Sequence, residues 1–178
     1  ADPGMSIAAA VRPFTPAERN GWALPTFLRQ AAAAHPDKPF LRSMSGESLT
    51  YAEVLALTER RAAGLAALGV AQGGRVLLVM DNSIDMIVCW FAVNLIGGVE
   101  VPSNTANRGT SLVHVANNSG ATVAIIDAKY ADALKDVAGE LDTLTRVVVR
   151  GPVPELPWET DPLASLDATG AEPPVVDV

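Results

Sequence analysis

The sequence predicts an α/β fold, a mainly parallel sheet with helices crossing between its strands. Two observations carry that expectation. Short, nearly continuous apolar runs at 75–80, 99–101, 122–126 and 146–149 have the pattern of strands buried on both faces. Helical apolar segments fill the intervals between them, as they do when crossover helices cover a parallel sheet.

Taken in order, residues 24–34 form an alanine-rich helix stopped at His35-Pro36, because the residue before a proline is pushed out of helical geometry. Two extended pieces, 40–42 and 48–49, flank Ser45-Gly46-Glu47 and read as a hairpin. Thr50 then caps a helix. Its hydroxyl can accept the N–H of Glu53 while the Glu53 carboxylate reaches back to the N–H of Thr50, a capping box. Tyr51, Leu55, Thr58, Ala62 and Leu65 recur at three- and four-residue steps, one buried stripe, and Gly69 ends the helix. After Gly73-Gly74 comes the first apolar strand, then Asp81-Asn82-Ser83 and a helix over 84–96 closed by Gly97-Gly98. The second strand ends at Pro102. A helix at 111–118 stops at Gly120, the third strand leads into a helix at 129–138, and the fourth strand follows. Residues 151–178 hold six of the 13 prolines and no lysine or arginine, with no amphipathic stretch, so they read as a linker or an edge segment without a core of its own.

Composition narrows the function classes. A chain of 178 residues with 49% hydrophobic content is long enough for a real core, burying roughly 70% of the surface its unfolded form exposes. Acids outnumber bases 20 to 13, and a net charge of -7 repels phosphate backbones and anionic headgroups, which argues against nucleic-acid binding. Cys89 is the only cysteine, so no internal disulfide or cysteine-rich zinc site can form. The longest apolar run, 86–93, is far short of the about 20 residues a membrane span needs. Residues 1–4 precede Met5 and read as a cloning scar, and no signal peptide follows. The expectation is a cytoplasmic protein.

Few residues point to chemistry. Open parallel sheets bind ligands outside the carboxyl ends of their strands. Asp81-Asn82-Ser83 and Asp127 lie at such ends, each before a helix, where Ser83 or Asn82 can equally serve as a simple cap. Gly73-Gly74 leads into a strand and Gly97-Gly98 ends a helix, neither with the spacing of a phosphate cradle, so both read as turns. His35 and His114 lack a partner at ligand spacing, and Cys89 sits in the most apolar helix, beside Trp90 and Phe91, where a thiol is poorly ionised.

Three segments carry a resemblance. Leu49-Thr50-Tyr51-Ala52-Glu53-Val54 is similar to an L-T-Y-x-E-L motif. Gly73-Gly74-Arg75-Val76 running into Met80-Asp81-Asn82-Ser83 is similar to a G-D-R-V … N strand and turn, with Gly74 where aspartate is usual. Asn94-Leu95-Ile96-Gly97-Gly98-Val99-Glu100-Val101-Pro102, followed by Asn104-Thr105, resembles a second core motif, and Asn117-Asn118-Ser119 lies in the helical stretch that commonly follows. In this order, over 24–150, they resemble the adenylate-forming superfamily of AMP-dependent synthetases and ligases, and acyl- or carnitine-type CoA ligases more than amino-acid adenylation domains.

The resemblance implies the N-terminal subdomain of the adenylate-forming fold in an AMP-forming acyl-CoA synthetase. Residues 5–150 would be its first α/β subdomain, and 151–178 a proline-rich acidic linker whose Val175-Val176-Asp177-Val178 approaches the ATP-binding loop. For the parent enzyme it implies ATP, Mg2+ and coenzyme A, a small carboxylic acid such as a fatty acid as substrate, and the remainder of its own chain as partner. The family's phosphate loop, its adenine-, ribose- and magnesium-holding residues and its C-terminal lysine match no position here. No catalytic, cofactor-binding or metal residue is therefore assigned, and the chain alone is expected to be an inactive scaffold with no cofactor bound. The helix at 84–96 and the loop at 103–109 are the expected walls of a neighbouring pocket. A degenerate, non-enzymatic paralogue would carry the same segments. From another class, a receiver-like binding module would use Asp81 and Asp127 as a paired acidic site for magnesium, although the first strand lacks an adjacent acidic pair and no lysine ends the last.

The capping box makes Thr50 structural. Thr50→Ala is expected to cost about 1 kcal/mol in denaturant unfolding and to leave the turnover of the parent enzyme near normal. A large loss of turnover at unchanged stability would contradict that role.

Overall fold

The structure, a computed structural model, describes residues 23–168 and 170–174. Residues 1–5 and 175–178, to which the scar, the start at Met5 and the approach to an ATP loop were assigned, lie outside the described residues. Helix α1 (Leu24–Ala34) leads to strands β1 (Pro39–Arg42) and β2 (Ser48–Thr50), an antiparallel pair. Helix α2 (Tyr51–Ala67) starts at the expected capping box, with both reciprocal hydrogen bonds present. Then come β3 (Arg75–Val79), α3 (Ile84–Leu95), β4 (Val99–Pro102), α4 (Thr110–Ser119), β5 (Val123–Asp127), α5 (Ala131–Lys135), β6 (Arg146–Arg150) and β7 (Glu159–Pro162), followed by a 3-10 segment, Leu163–Ala168.

The five strands β3 to β7 form one parallel sheet in the order β4-β3-β5-β6-β7. Alternate residues of the central strands point to opposite faces, and both faces are covered. Val76, Leu78, Val123, Ile125 and Val148 pack against α2, α3 and the 3-10 segment. Leu77, Val79, Ala124, Ile126, Val147 and Val149 pack against α4 and α5. A third cluster, built on Leu28, Val54, Ile84 and Val88, ties α1 and the β1–β2 hairpin to α2 and α3. There the Phe40 and Tyr51 rings stack at 4.3 Å.

The glycine pairs are turns, at the end of the sheet away from ligands. Gly73 and Gly97 take φ of 76° and 68°, and the N–H of Gly73 donates to the carbonyl of Gly97 at 2.8 Å. A Cβ on Gly98 would lie 3.1 Å from the Gly74 carbonyl oxygen, so the two pairs are small because their backbones touch.

Two elements differ from expectation. The helix expected at 129–138 is broken into a 3-10 turn Ala128–Tyr130, the short α5 and a further 3-10 turn Ala138–Glu140. The tighter first turn carries Lys129 and Tyr130 back to Asp81. The second difference lies in the stretch read as a linker or an edge segment without a core of its own: over 159–168 it is an edge, and it does join the core. Residues 159–162 add a fifth strand beside β6, and Leu163 and Leu166 enter the main core. The sequence hid this because the strand, Glu159-Thr160-Asp161-Pro162, is an edge strand whose side chains are polar or exposed. Arg146 pairs with both Glu159 and Asp161, which fixes that edge through charge.

The seat of the 3-10 segment is Gly64. A Cβ built there would fall 2.5 Å from the Cα and the carbonyl oxygen of Leu166. Replacing a helical glycine with alanine ordinarily gains up to about 1 kcal/mol, but Gly64→Ala should instead lose about 1–3 kcal/mol through overpacking, read as a lower urea midpoint. A variant at least as stable as the parent would mean that 163–168 does not sit on α2.

Candidate functional site at the carboxyl ends of the strands

The order β4-β3-β5-β6-β7 is that of a doubly wound sheet whose connections reverse at β3, so the crevice for a ligand opens at the carboxyl ends of β3 and β5. Asp81 follows β3 and Asp127 closes β5. The structure brings the two together, as the sequence suggested, and joins them directly: the N–H of Asp81 donates to Asp127 Oδ2 at 2.8 Å. Each carboxylate also has its own basic partner. The Arg150 guanidinium grips Asp127 with Nε to Oδ1 at 2.6 Å and Nη2 to Oδ2 at 2.9 Å, the two-pronged geometry that arginine favours. Asp81 takes Lys129 on one oxygen and the Tyr130 hydroxyl, at 2.5 Å, on the other. Hydrogen bonds from Lys129 and then Tyr130 hold the Asp81 carboxyl below the usual carboxylate range. Lys129 and Arg108 also lie near the Tyr130 ring, 5.1 and 5.7 Å from its centroid. Among the described residues no group of three or more His, Cys, Asp or Glu could hold a metal ion.

A second charged centre lies one layer deeper and was not read from the sequence. Arg61, on the buried stripe of α2, is 5% exposed. Its Nη2 donates to Asp85 Oδ1 at 2.6 Å and its Nε to Asp167 Oδ1 at 3.1 Å. Its Nη1 faces the Asp85 carbonyl oxygen at 3.4 Å and Cys89 Sγ at 3.7 Å. Burial pushes the Cys89 thiol up to about 11, against the pull of Arg61, so this cysteine is core, as expected. Asp85 Oδ2 in turn lies 3.5 Å from Arg150 Nη1. The charges therefore alternate along one line, Asp167, Arg61, Asp85, Arg150 and Asp127, before reaching Asp81. Desolvation works against the charge of Arg150, and Asp127 and Asp85 together more than offset it, so its pKa is raised. The signal for Arg61 was available: Val54, Thr58, Arg61 and Leu65 follow helical spacing, with a charge in an otherwise uncharged row. Arg150, a lone cation at the carboxyl end of Val147-Val148-Val149, was legible in the same way.

Among the described residues, open clefts of three sizes border this line. The largest, about 560 Å³, runs between the hairpin and the first turn of α3, lined by Leu41, Met44, Ile84, Ile87, Arg42 and Arg150 among others. A second, about 390 Å³, is lined by Asp81, Asn82, Met86, Ser103, Asn104 and Thr105. The third, about 250 Å³, lies between Arg61, Arg150 and Asp167. The helix expected at 84–96 and the loop at 103–109 thus both line clefts. Ser83 caps α3, accepting the N–H of Met86 at 3.1 Å. His114 is exposed on α4, and His35 is an exposed residue at the end of α1. Lys135 donates to the carbonyl of Glu155 at 3.2 Å. Among the described residues no helix is long and apolar enough to cross a membrane.

Comparison with known proteins agrees with this architecture. The chain is 36% identical over 104 residues to the 3-hydroxybenzoate–CoA/4-hydroxybenzoate–CoA ligase of Thauera aromatica, covering 58% of this chain and 20% of that protein. It is 32% identical over 123 residues to the long-chain-fatty-acid–CoA ligase FadD13 of Mycobacterium tuberculosis, covering 68% of this chain and 24% of the relative. Its fold matches the inhibitor-bound N-terminal domain of FACL13 from Mycobacterium tuberculosis with a TM-score of 0.73 and 29% identity, over 89% of this chain and 38% of that one. The chain therefore spans about a quarter or less of the length of these two curated relatives, and its α/β fold is that of the N-terminal part of CoA ligases. The profile of the AMP-binding enzymes matches residues 28–176, and the chain belongs to that family.

Proposed function

We propose that this chain is the N-terminal part of an AMP-forming acid–CoA ligase, in which it supplies scaffold and cleft walls rather than catalytic groups. The observation that carries the reading is the family match over 28–176 in a chain that aligns with only 20% and 24% of the CoA ligases cited above. Those relatives act on a hydroxybenzoate and on long-chain fatty acids, which supports a small carboxylic acid as the substrate of the parent enzyme. In the parent enzyme a carboxylate oxygen would attack the α-phosphorus of ATP with release of pyrophosphate, and the thiol of coenzyme A would then displace AMP to give the thioester. Such a step depends on preorganised amides, cations and magnesium placed around the phosphates. The basic groups near the strand ends, Arg150 and Lys129, and the deeper Arg61 of α2 are each engaged by carboxylates of the same chain. Asp81 and Asp127 are likewise committed to Lys129, Tyr130 and Arg150, which disfavours a receiver-like use of that pair. On this reading the parent protein works in the cytoplasm.

The test is a pyrophosphate-release assay with ATP, magnesium and a panel of fatty and hydroxybenzoic acids. The 178-residue chain should give no acid-dependent release at millimolar ATP. The same chain continued into the downstream sequence of its gene should give release that depends on one acid of the panel and on coenzyme A for thioester formation. Acid-dependent release by the short chain, purified free of longer forms, would overturn the scaffold role. Silence of the longer protein toward every acid would overturn the ligase reading.

A further inference from the structure

The line of alternating charges joins two parts of the molecule that share no β-ladder. One is the 3-10 segment carrying Asp167. The other is the turn 81–83, whose Asn82 lines both the 560 Å³ and the 390 Å³ clefts and so forms the partition between them. The backbone N–H of Asp81 is held by a side chain, Asp127 Oδ2 at 2.8 Å. The position of the partition therefore depends on where the Asp127 carboxylate is held. That carboxylate is gripped by both prongs of Arg150. Arg150 has one further anchor, Asp85 Oδ2, at 3.5 Å, the longest link in the line. Asp85 is shared with Arg61, which it meets at 2.6 Å, and Arg61 divides itself between Asp85 and Asp167.

We propose that these ion pairs act as a relay by which the 3-10 segment positions the turn between the two clefts, with Arg150 as the positioning residue. The direction of the effect follows from the geometry. Arg61 is buried and keeps its charge, so it cannot stay without a full complement of carboxylate partners. When Asp167 no longer carries charge, Arg61 draws on both oxygens of Asp85. Asp85 Oδ2 then withdraws from Arg150 at the already long 3.5 Å link. Held by one carboxylate instead of two, the Arg150 fork moves more freely together with Asp127. The hydrogen bond from the Asp81 amide then opens more often, and the partition between the clefts loosens. The coupling is a property of this chain's own fold, and it stands or fails separately from the ligase reading.

Hydrogen exchange of single amides in the 178-residue chain, followed by NMR, tests the relay. Exchange at Asp81 is read against Ile125 in the core of β5, so that a global loss of stability cancels. Asp167→Asn should speed exchange at Asp81 about threefold or more relative to Ile125, the scale of coupling between groups in one ionic network. Asp161→Asn, which removes a carboxylate from the adjoining strand β7, where it pairs with Arg146, should leave Asp81 unchanged. In an Arg150→Lys background, where the two-pronged grip is gone, Asp167→Asn should add nothing. Asp167→Glu keeps the charge and is the second variant should Asp167→Asn fail to fold; its longer arm should change Asp81 exchange in the parent background and not in Arg150→Lys. An unchanged Asp81 amide, an equal response to Asp161→Asn, or an effect that survives Arg150→Lys would each overturn the proposal.

Discussion

Arg61 is a guanidinium at the centre of a helix-packing interface, 5% exposed, between α2, α3 and the 3-10 segment Leu163–Ala168. A buried charge is tolerated only where partners replace its water, and a single carboxylate leaves several of its five N–H donors unmet. Arg61 is met by two carboxylates, a backbone carbonyl and a thiol sulfur. Each of those partners belongs to a different stretch of the structure from α2: Asp85 and Cys89 to α3, Asp167 to the 3-10 segment. The position of one side chain therefore determines how three elements meet. Beside it, Gly64 lets the backbone at Leu166 approach α2 more closely than any side chain would permit. Charge and close approach together explain how a proline-rich, polar tail becomes part of the core.

The same economy of charge governs the crevice of the sheet. In a doubly wound sheet the carboxyl ends of the strands at the reversal point are where ligands enter. Here that point is bridged by the bond from the Asp81 amide to Asp127, with Arg150, Lys129 and Tyr130 closing around the two carboxylates. The ends of the strands are cross-linked, and the open space lies to either side of the link, toward the hairpin and toward the loop 103–109. Such an arrangement leaves the two carboxylates and their basic partners engaged with one another. It accords with a chain that matches the N-terminal part of CoA ligases and aligns with only about a quarter or less of the two curated relatives.

Much of this was legible in the sequence because local rules and tertiary packing agree. The capping box at Thr50 and Glu53, the apolar runs of β3, β5 and β6, and the glycine turns each depend on neighbours close in sequence or on burial on both faces of the sheet. The strand at 159–162 was not legible, since an edge strand with an exposed or half-exposed pattern gives no apolar alternation, and its pairing rests on Arg146 across the ladder. The helix at 129–138 failed for a similar reason: the contact that tightens its first turn is to Asp81, nearly fifty residues away in sequence. The ionic line was half legible. Asp81 and Asp127 stood out by their positions after strands, whereas Arg61 and Arg150 were cations in apolar patterns whose partners only the fold could supply.

The account rests on the claim that Arg61 holds the tail and α3 to α2, and equilibrium urea unfolding of Arg61→Met measures it most directly. Methionine keeps much of the volume and removes the charge, leaving the half-buried Asp85 and Asp167 without their common partner. The account predicts a loss on the order of 3 kcal/mol, the scale observed when one member of a buried ion pair is removed, with the 3-10 segment becoming the first site of proteolysis. A variant within about 0.5 kcal/mol of the parent, the range of ordinary surface substitutions, would contradict it.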